Sequence, residues 1–376
     1  WAGTDDGLMH VTRDGGGTWV NVTPPELRAW DKVSQVDASH HDVNTAYIAI
    51  NAIRRDDMRP YIYRTHDGGL SWTHITHGLP DHGPVNVVRA DPKQPGLLFA
   101  GTERSVYFSA DDGDSWQPLR LNLPPSSMRD LVVHENDLVV GTHGRSIWIL
   151  DNIAPLRELA AAATSTAPYL FEPQMATRVR WNMFSDTPLP PEEPTGENPP
   201  DGAMIDFYLP ATAESVSIQI LDGEGEVVRA YSNVDEPVAI DTTALPHPTY
   251  WIRPEQRLST EAGHQRFLWD LRREPPRGSN RQFSIAAVYQ KTPDGPHGPF
   301  VHPGRYAVRL TVDGAVFERP LDVRLDPRVQ MSDADLSLQT RFSMAMYDVY
   351  HAAQDIVETI DGLVSDPSLP ASRREA

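Results

Sequence analysis

Along residues 1–152 the apolar positions fall in short runs broken by turns, a pattern of strands rather than helices. Leu97-Leu98-Phe99-Ala100 leads through Gly101-Thr102 into Val106-Tyr107-Phe108, and Leu138-Val139-Val140 leads through Gly141-Thr142 into Ile147-Trp148-Ile149-Leu150. Gly3-Thr4 precedes Leu8 in the same way. Beyond residue 202 the pattern becomes alternation. Val216, Ile218 and Ile220 share one face of a strand that turns at Asp222-Gly223, and Tyr306, Val308, Leu310 and Val312 run into Asp313-Gly314, a hairpin signal. From Ser332 the period is helical, with Phe342, Met346, Val349, Ala353, Ile356 and Ile360 on one stripe. Such a stripe predicts packing on a neighbouring sheet or helix, or an oligomerisation surface.

A longer period is superimposed on the first segment. The pattern Ser/Thr-x-Asp-x-Gly-x-Thr/Ser-Trp occurs at Thr12, Asp14, Gly16, Thr18 and Trp19, at Thr65, Asp67, Gly69, Ser71 and Trp72, and at Ser109, Asp111, Gly113, Ser115 and Trp116. A spacing of roughly 50 residues fits one four-stranded propeller blade per box. Each Asp is expected to accept backbone N–H bonds within its own turn, each Gly to supply a positive φ, and each Trp to bury its ring under the hairpin it ends. The last strand pair carries no box and runs into Asp151-Asn152, as at a final blade.

The expected class is all-β: a partial Asp-box β-propeller, then an Ig/fibronectin-like sandwich and a C-terminal helix. The expected boundaries are 1–152 for the last blades, 153–201 for an exit segment and Pro-rich linker, 202–326 for the sandwich and 327–376 for the helical segment. Pro155 to Ala163 reads as a short helix, and Ser185 to Pro200 as a Pro/Glu-rich loop. Because Trp1 already lies in a strand-like segment, the sequence reads as the C-terminal portion of a longer protein.

Composition narrows the partners. A formal charge of −19 argues against nucleic acid and anionic lipid, which need a cationic face. With no Cys there are no disulfides and no thiolate chemistry, and no apolar run is long enough to span a membrane. No phosphate loop or cofactor motif is present, so no cofactor is expected. In His40-His41-Asp42 adjacent histidines of a strand would point to opposite faces, so no metal site is expected either.

The stretches Pro60-Tyr61-Ile62-Tyr63-Arg64-Thr65-His66-Asp67-Gly68-Gly69, Gly101-Thr102-Glu103 and Gly141-Thr142-His143-Gly144-Arg145-Ser146-Ile147-Trp148-Ile149-Leu150-Asp151 resemble the large bacterial BNR-repeat proteins. These are related to the sortilin-type propeller and are often labelled glycosyl hydrolases by their repeats. The resemblance implies upstream blades in the same protein and an extracellular or periplasmic location. The absence of Cys departs from the Cys-rich module that follows the propeller of sortilin. Arg266-Phe267-Leu268-Trp269-Asp270-Leu271 and Pro303-Gly304-Arg305-Tyr306 resemble accessory sandwiches of secreted bacterial proteins.

The chemistry is less defined. Box carboxylates are consumed in their turns, and a sialidase would also need an Arg cluster, a Tyr nucleophile and an acid/base group. A xyloglucanase-type hydrolase would need two acidic residues across a cleft, for which Glu103, Asp56 and Asp57 are available. No catalytic residue is assigned. The candidate binding residues are Arg54, Asp56, Asp57 and Arg59 in a long inter-strand insertion, Glu103, and His143 and Arg145 in the last Gly-Thr turn. The leading reading is a secreted binding or scaffold protein for a protein, peptide or glycan. The alternatives are a glycoside hydrolase whose cleft is shared with upstream blades, and a structural subunit that oligomerises.

Overall fold

The computed structural model describes residues 1–365 apart from 181–195, 197–198, 238–239, 244, 246, 280–281 and 284–293. Most of the Pro/Glu-rich stretch Ser185 to Pro200 lies outside the described residues. Two compact units, Trp1–Thr164 and Ser165–Ala376, make up the chain.

The first unit is a succession of antiparallel meanders. β1 (Ala2–Gly3), β2 (Met9–Val11) and β3 (Val20–Asn21) form one sheet, and β4 (Lys32–Ala38), β5 (Ala46–Asn51), β6 (Tyr61–Thr65) and β7 (Thr73–His74) form the next. β8 (Val85–Ala90), β9 (Leu98–Thr102), β10 (Val106–Ser109) and β11 (Gln117–Pro118) follow, then β12 (Met128–His134), β13 (Asp137–Thr142) and β14 (Ile147–Leu150). Each sheet is a propeller blade, and each core cluster lies between two consecutive blades. Tyr47, Ile62 and Ile75 pack with Val88, Leu98 and Trp116, whereas Val87, Phe99 and Phe108 pack with Met128, Leu131 and Val140. A strand covered on both faces must be apolar throughout, which is why Ala46 to Ile50 carries no polar alternation and is buried. The unit closes with two short helices, α1 (Ala154–Arg157) and α2 (Leu159–Thr164).

The boxes occupy the turns from β2 to β3, β6 to β7 and β10 to β11. In each, the Asp accepts the backbone N–H of the residue four further on at 2.9 Å, at Thr18, Ser71 and Ser115, and bonds the hydroxyl of the same residue. These donors hold the Asp14 and Asp67 carboxyls at about 2. The tryptophans depart from expectation, because they bury against the preceding blade rather than under their own hairpin. Trp72 Nε1 donates to Val22 O at 2.7 Å, and Trp116 Nε1 to Ile75 O at 2.8 Å. The box glycines press on the same two residues: a Cβ on Gly69 would lie 2.6 Å from Val22 Cβ, and one on Gly113 would lie 2.4 Å from Ile75 Cδ1. Trp116 is accordingly 3% exposed, while Trp19, whose indole has no such acceptor among the described residues, is 49% exposed.

The second unit is a sandwich. β15 (Tyr169–Leu170), β17 (Ala203–Leu209) and β20 (Gly263–Trp269) make one sheet. The other has the order β16 (Ala176–Arg178), β24 (Ala315–Leu325), β23 (Gly304–Val312), β18 (Val216–Leu221), β19 (Val227–Ser232), with β16 parallel to β24. A small ladder joins β21 (Gln282–Phe283) to β22 (Asp294–Gly295). Ile205, Phe207 and Trp269 from one sheet meet Ile218, Val308 and Leu310 from the other in a dry core. The expected exit segment is corrected here: Tyr169–Leu170 and Ala176–Arg178 are strands of the sandwich, because Leu170 and Ala176 supply apolar side chains that its core takes up. Helix α3 (Asp333–Ser365) begins at Ser332, whose Oγ accepts the Asp335 N–H at 3.1 Å. No helix among the described residues is long and apolar enough to cross a membrane.

Replacing Trp116 by Ala should cost about 3–5 kcal/mol in urea unfolding of this unit, and Trp19→Ala well under about 1 kcal/mol. Equal losses would show that the indoles are not anchored on the preceding blade. Because the Asp67 carboxyl sits at about 2, below the 3.8 of an unfolded chain, its stabilisation is complete above about pH 4 and fades as pH falls toward 2. Asp67→Asn should therefore flatten the stability–pH curve between those values, as read by acid titration of urea midpoints.

Candidate functional site

In a meander the box turns lie at one end of the blades, and the β1–β2, β5–β6, β9–β10 and β13–β14 loops lie at the other. All seven candidate binding residues fall at that second end, away from the boxes.

Three irregular strands shape it. β4, β8 and β12, the first strands of their blades, each shift register near the start, between Val33 and Gln35, Val85 and Val87, and Met128 and Asp130. The extra residues are Ser34, Asn86 and Arg129. A bulge of this kind re-aims one side chain while the ladder beyond it continues. Ser34 Oγ donates to Ala49 O in its own blade at 3.0 Å and reaches Val85 O of the next blade at 3.3 Å. Asn86, 8% exposed, accepts from Asn51 Nδ2 at 2.8 Å, and its Nδ2 faces Glu103 Oε1 at 3.0 Å, Met128 O at 3.1 Å and Ser127 Oγ at 3.3 Å. It thus ties three blades together. Arg129 returns to Glu103 at 3.4 Å.

Outside this hub the rim is a set of ion pairs. Arg54 and Lys32 reach Asp5 at 3.3 and 3.4 Å, and Arg55 Nη1 pairs with Asp31 at 2.6 Å. Asp57 receives Arg59 Nε and Nη2 at 2.9 and 2.6 Å and the Tyr61 hydroxyl at 2.9 Å. The bidentate Arg59 fork holds the Asp57 carboxyl well below the usual range, and burial raises Tyr61. Asp56 caps the short 3₁₀ turn Ile53–Arg55 in the left-handed region at φ 59°. His143 and Arg145 are exposed, fixed through backbone bonds from His143 N to Ser127 O and from Arg145 N to Thr142 Oγ1.

Sequence reading missed Asp5, Asp31, Lys32, Asn51, Asn86 and Arg129. It also missed Trp30, which is 59% exposed and held at φ 72°, its N–H bonded to Asp6 O at 2.9 Å. A bulky residue in that region of backbone space is strained, and such strain concentrates where a side chain has been aimed for use. Leu8 and Ile53, also exposed, sit in adjoining loops of this end. One signal was available: Asn86 interrupts the valine run Val85, Val87 and Val88.

His40-His41-Asp42 lies in the turn after β4 and not in a strand, because the ladder ends at Ala38. His41 Nε2 is 3.0 Å from Asp91 O, and Asp42 accepts Thr45 Oγ1 at 2.6 Å, which lowers its carboxyl. No group of three or more metal-ligating side chains occurs among the described residues.

No family model matches the chain. Over 112 residues it is 23% identical to the oligoxyloglucan-reducing end-specific xyloglucanase of Emericella nidulans, a stretch covering 30% of this chain and 14% of that enzyme. Among solved structures it is similar to YCF48 bound to D1 peptide (TM-score 0.31, 22% identity, 39% of this chain and 46% of that one). It is also similar to the GH74 xyloglucanase of Xanthomonas campestris (TM-score 0.32, 17% identity, 46% and 29%). The chain therefore spans less than half the length of each of these three proteins.

Asn86→Ala should cost about 1–3 kcal/mol, the penalty for stripping a buried hydrogen-bonding hub. It should also raise amide exchange at residues 103–105 and 127–129 while leaving the box turns protected. Unchanged exchange there would show that the hub does not organise this end.

Proposed function

We propose that the bulged end of the blades is a binding surface for an extended partner, a peptide or a glycan, on an exported propeller-plus-sandwich scaffold of the sortilin-like BNR type. The observation that carries this is the composition of the rim. Its carboxylates Asp5, Asp31, Asp57 and Glu103 stand beside cations, and Trp30 stands exposed among them. A hydrolytic acid needs a carboxyl held protonated by an apolar or like-charged setting. The clear carboxyl shift on this rim, that of Asp57, runs the other way. An aromatic ring flanked by paired charges offers instead a stacking platform with polar edges, a common anchor of binding faces.

The end blades support a place in a larger ring. Trp19 and Val20 are exposed on the first sheet, and Val132, Ile147 and Ile149 on the last, whereas the equivalent faces between the inner sheets are dry. Further blades of the same protein would cover them. The likeness to a xyloglucanase over 112 residues favours a second reading, a hydrolase cleft completed by those blades, with Glu103 or Asp56 as one of its acids.

The test is a binding screen of the full-length protein against peptide and oligosaccharide arrays, paired with a turnover assay on the same glycans. Trp30→Ala should weaken binding about 30-fold, the scale of a hot-spot aromatic, with no turnover by either protein. Glycan cleavage that Glu103→Gln or Asp56→Asn abolishes would overturn the binding reading in favour of the hydrolase.

A further inference from the structure

The apolar stripe of α3 does not face the sandwich. Phe342, Met346, Val349, Ile356, Ile360 and Leu363 are between 52% and 68% exposed, and Leu336 is the helix's one buried residue. The side of the helix that touches the rest of its unit carries Leu336 and Met344 near its start and polar contacts further along. Tyr347 donates to Glu274 O at 3.1 Å, His351 Nε2 accepts the Arg277 N–H at 3.3 Å, and Asp355 pairs with Arg277 at 2.5 Å.

The spacing of the stripe says what it fits. Phe342, Met346, Val349, Ala353, Ile356, Ile360 and Leu363 alternate steps of four and three without a break. That is a heptad seam, whose period is met by another helix in a left-handed coiled coil rather than by a sheet. The flanking positions Ser343, Ala345, Tyr350, Ala352, Val357, Thr359 and Val364 carry no charge, so two copies meet without repulsion along the seam. Run antiparallel, Met346 lies opposite Leu363, Val349 opposite Ile360, and Ala353 opposite Ile356. Each layer then sets a smaller or flexible side chain against a larger one, and the helix dipoles run head to tail. A parallel pair would stack Phe on Phe and Ala on Ala, leaving gaps at the Ala layer. The paired layers from Met346 to Leu363 span about 25 Å.

We propose that α3 pairs antiparallel with α3 of a second copy of this chain, through the seam from Met346 to Leu363.

Sedimentation of the 376-residue chain in about 0.15 M salt should give twice its 41.9 kDa mass at micromolar concentration. Met346→Asp combined with Ile356→Asp should weaken the dimer at least 100-fold while thermal unfolding of the sandwich is unchanged, both side chains being exposed. Orientation is tested with disulfides, made clean by a sequence without Cys. Chains carrying Met346→Cys mixed with chains carrying Leu363→Cys should crosslink to each other on oxidation, and neither should crosslink to itself. A self-linked Met346→Cys dimer would overturn the antiparallel pairing. A monomer at 100 micromolar would overturn the second copy as occupant; if its seam amides are protected from exchange, the face belongs to another segment of a longer chain.

Discussion

One hydrogen bond recurs through the first unit, and the stacking of blades depends on it: the indole N–H of a box tryptophan donated to a backbone carbonyl of the blade before. At Trp72 the acceptor is Val22 O and at Trp116 it is Ile75 O, residues in equivalent places just after the last strand of the preceding blade. The donor arrives with a large apolar ring and beside a glycine that lets the backbones close up, so hydrophobic burial, hydrogen bonding and close approach coincide at one point. The Asp of the box acts earlier in this chain of causes. It shapes the turn that aims the ring, and both of its oxygens accept bonds within that turn.

This division of labour separates the two ends of the blades. Where the boxes lie, side chains lock neighbours together: His66 Nε2 and Arg64 both reach Asp112 of the next blade, and Arg13 reaches Asn44. At the other end a smaller lock, Asn86, leaves the surrounding loops free to carry charged and aromatic residues. The scaffold is fixed at one end so that the opposite rim can differ in composition.

The architecture was legible because its causes are local. Three boxes in register, Gly-Thr turns between apolar runs, and Asp313-Gly314 between alternating strands each dictate a conformation within a few residues. The rim was legible only in its loops. Arg54, Asp57, Arg59 and Glu103 stand out as charges in turns, but their partners Asp5, Asn86 and Arg129 come from other blades, and sequence spacing does not report that proximity. The bulges were invisible for a different reason. An inserted residue in a strand of mixed character such as Lys32-Val33-Ser34-Gln35 leaves the alternation readable in either register. The direction in which the tryptophans bury was missed because a repeat pattern shows that a ring recurs, and not which neighbour receives it.

The bulge near the start of each first strand has a consequence for how such a surface can change. Elsewhere in these strands the inward positions, such as Val33, Val87, Val88 and Leu131, are committed to a blade-to-blade core. The bulged position is relieved of that apolar duty, because the ladder continues beyond it. Ser34, Asn86 and Arg129 occupy it here, three residues with nothing in common except polarity. Three of the blades thus each place one polar side chain at a corresponding point. Exchanging those side chains would change the polar contacts between blades, as at Asn86, without opening the apolar core that stacks them.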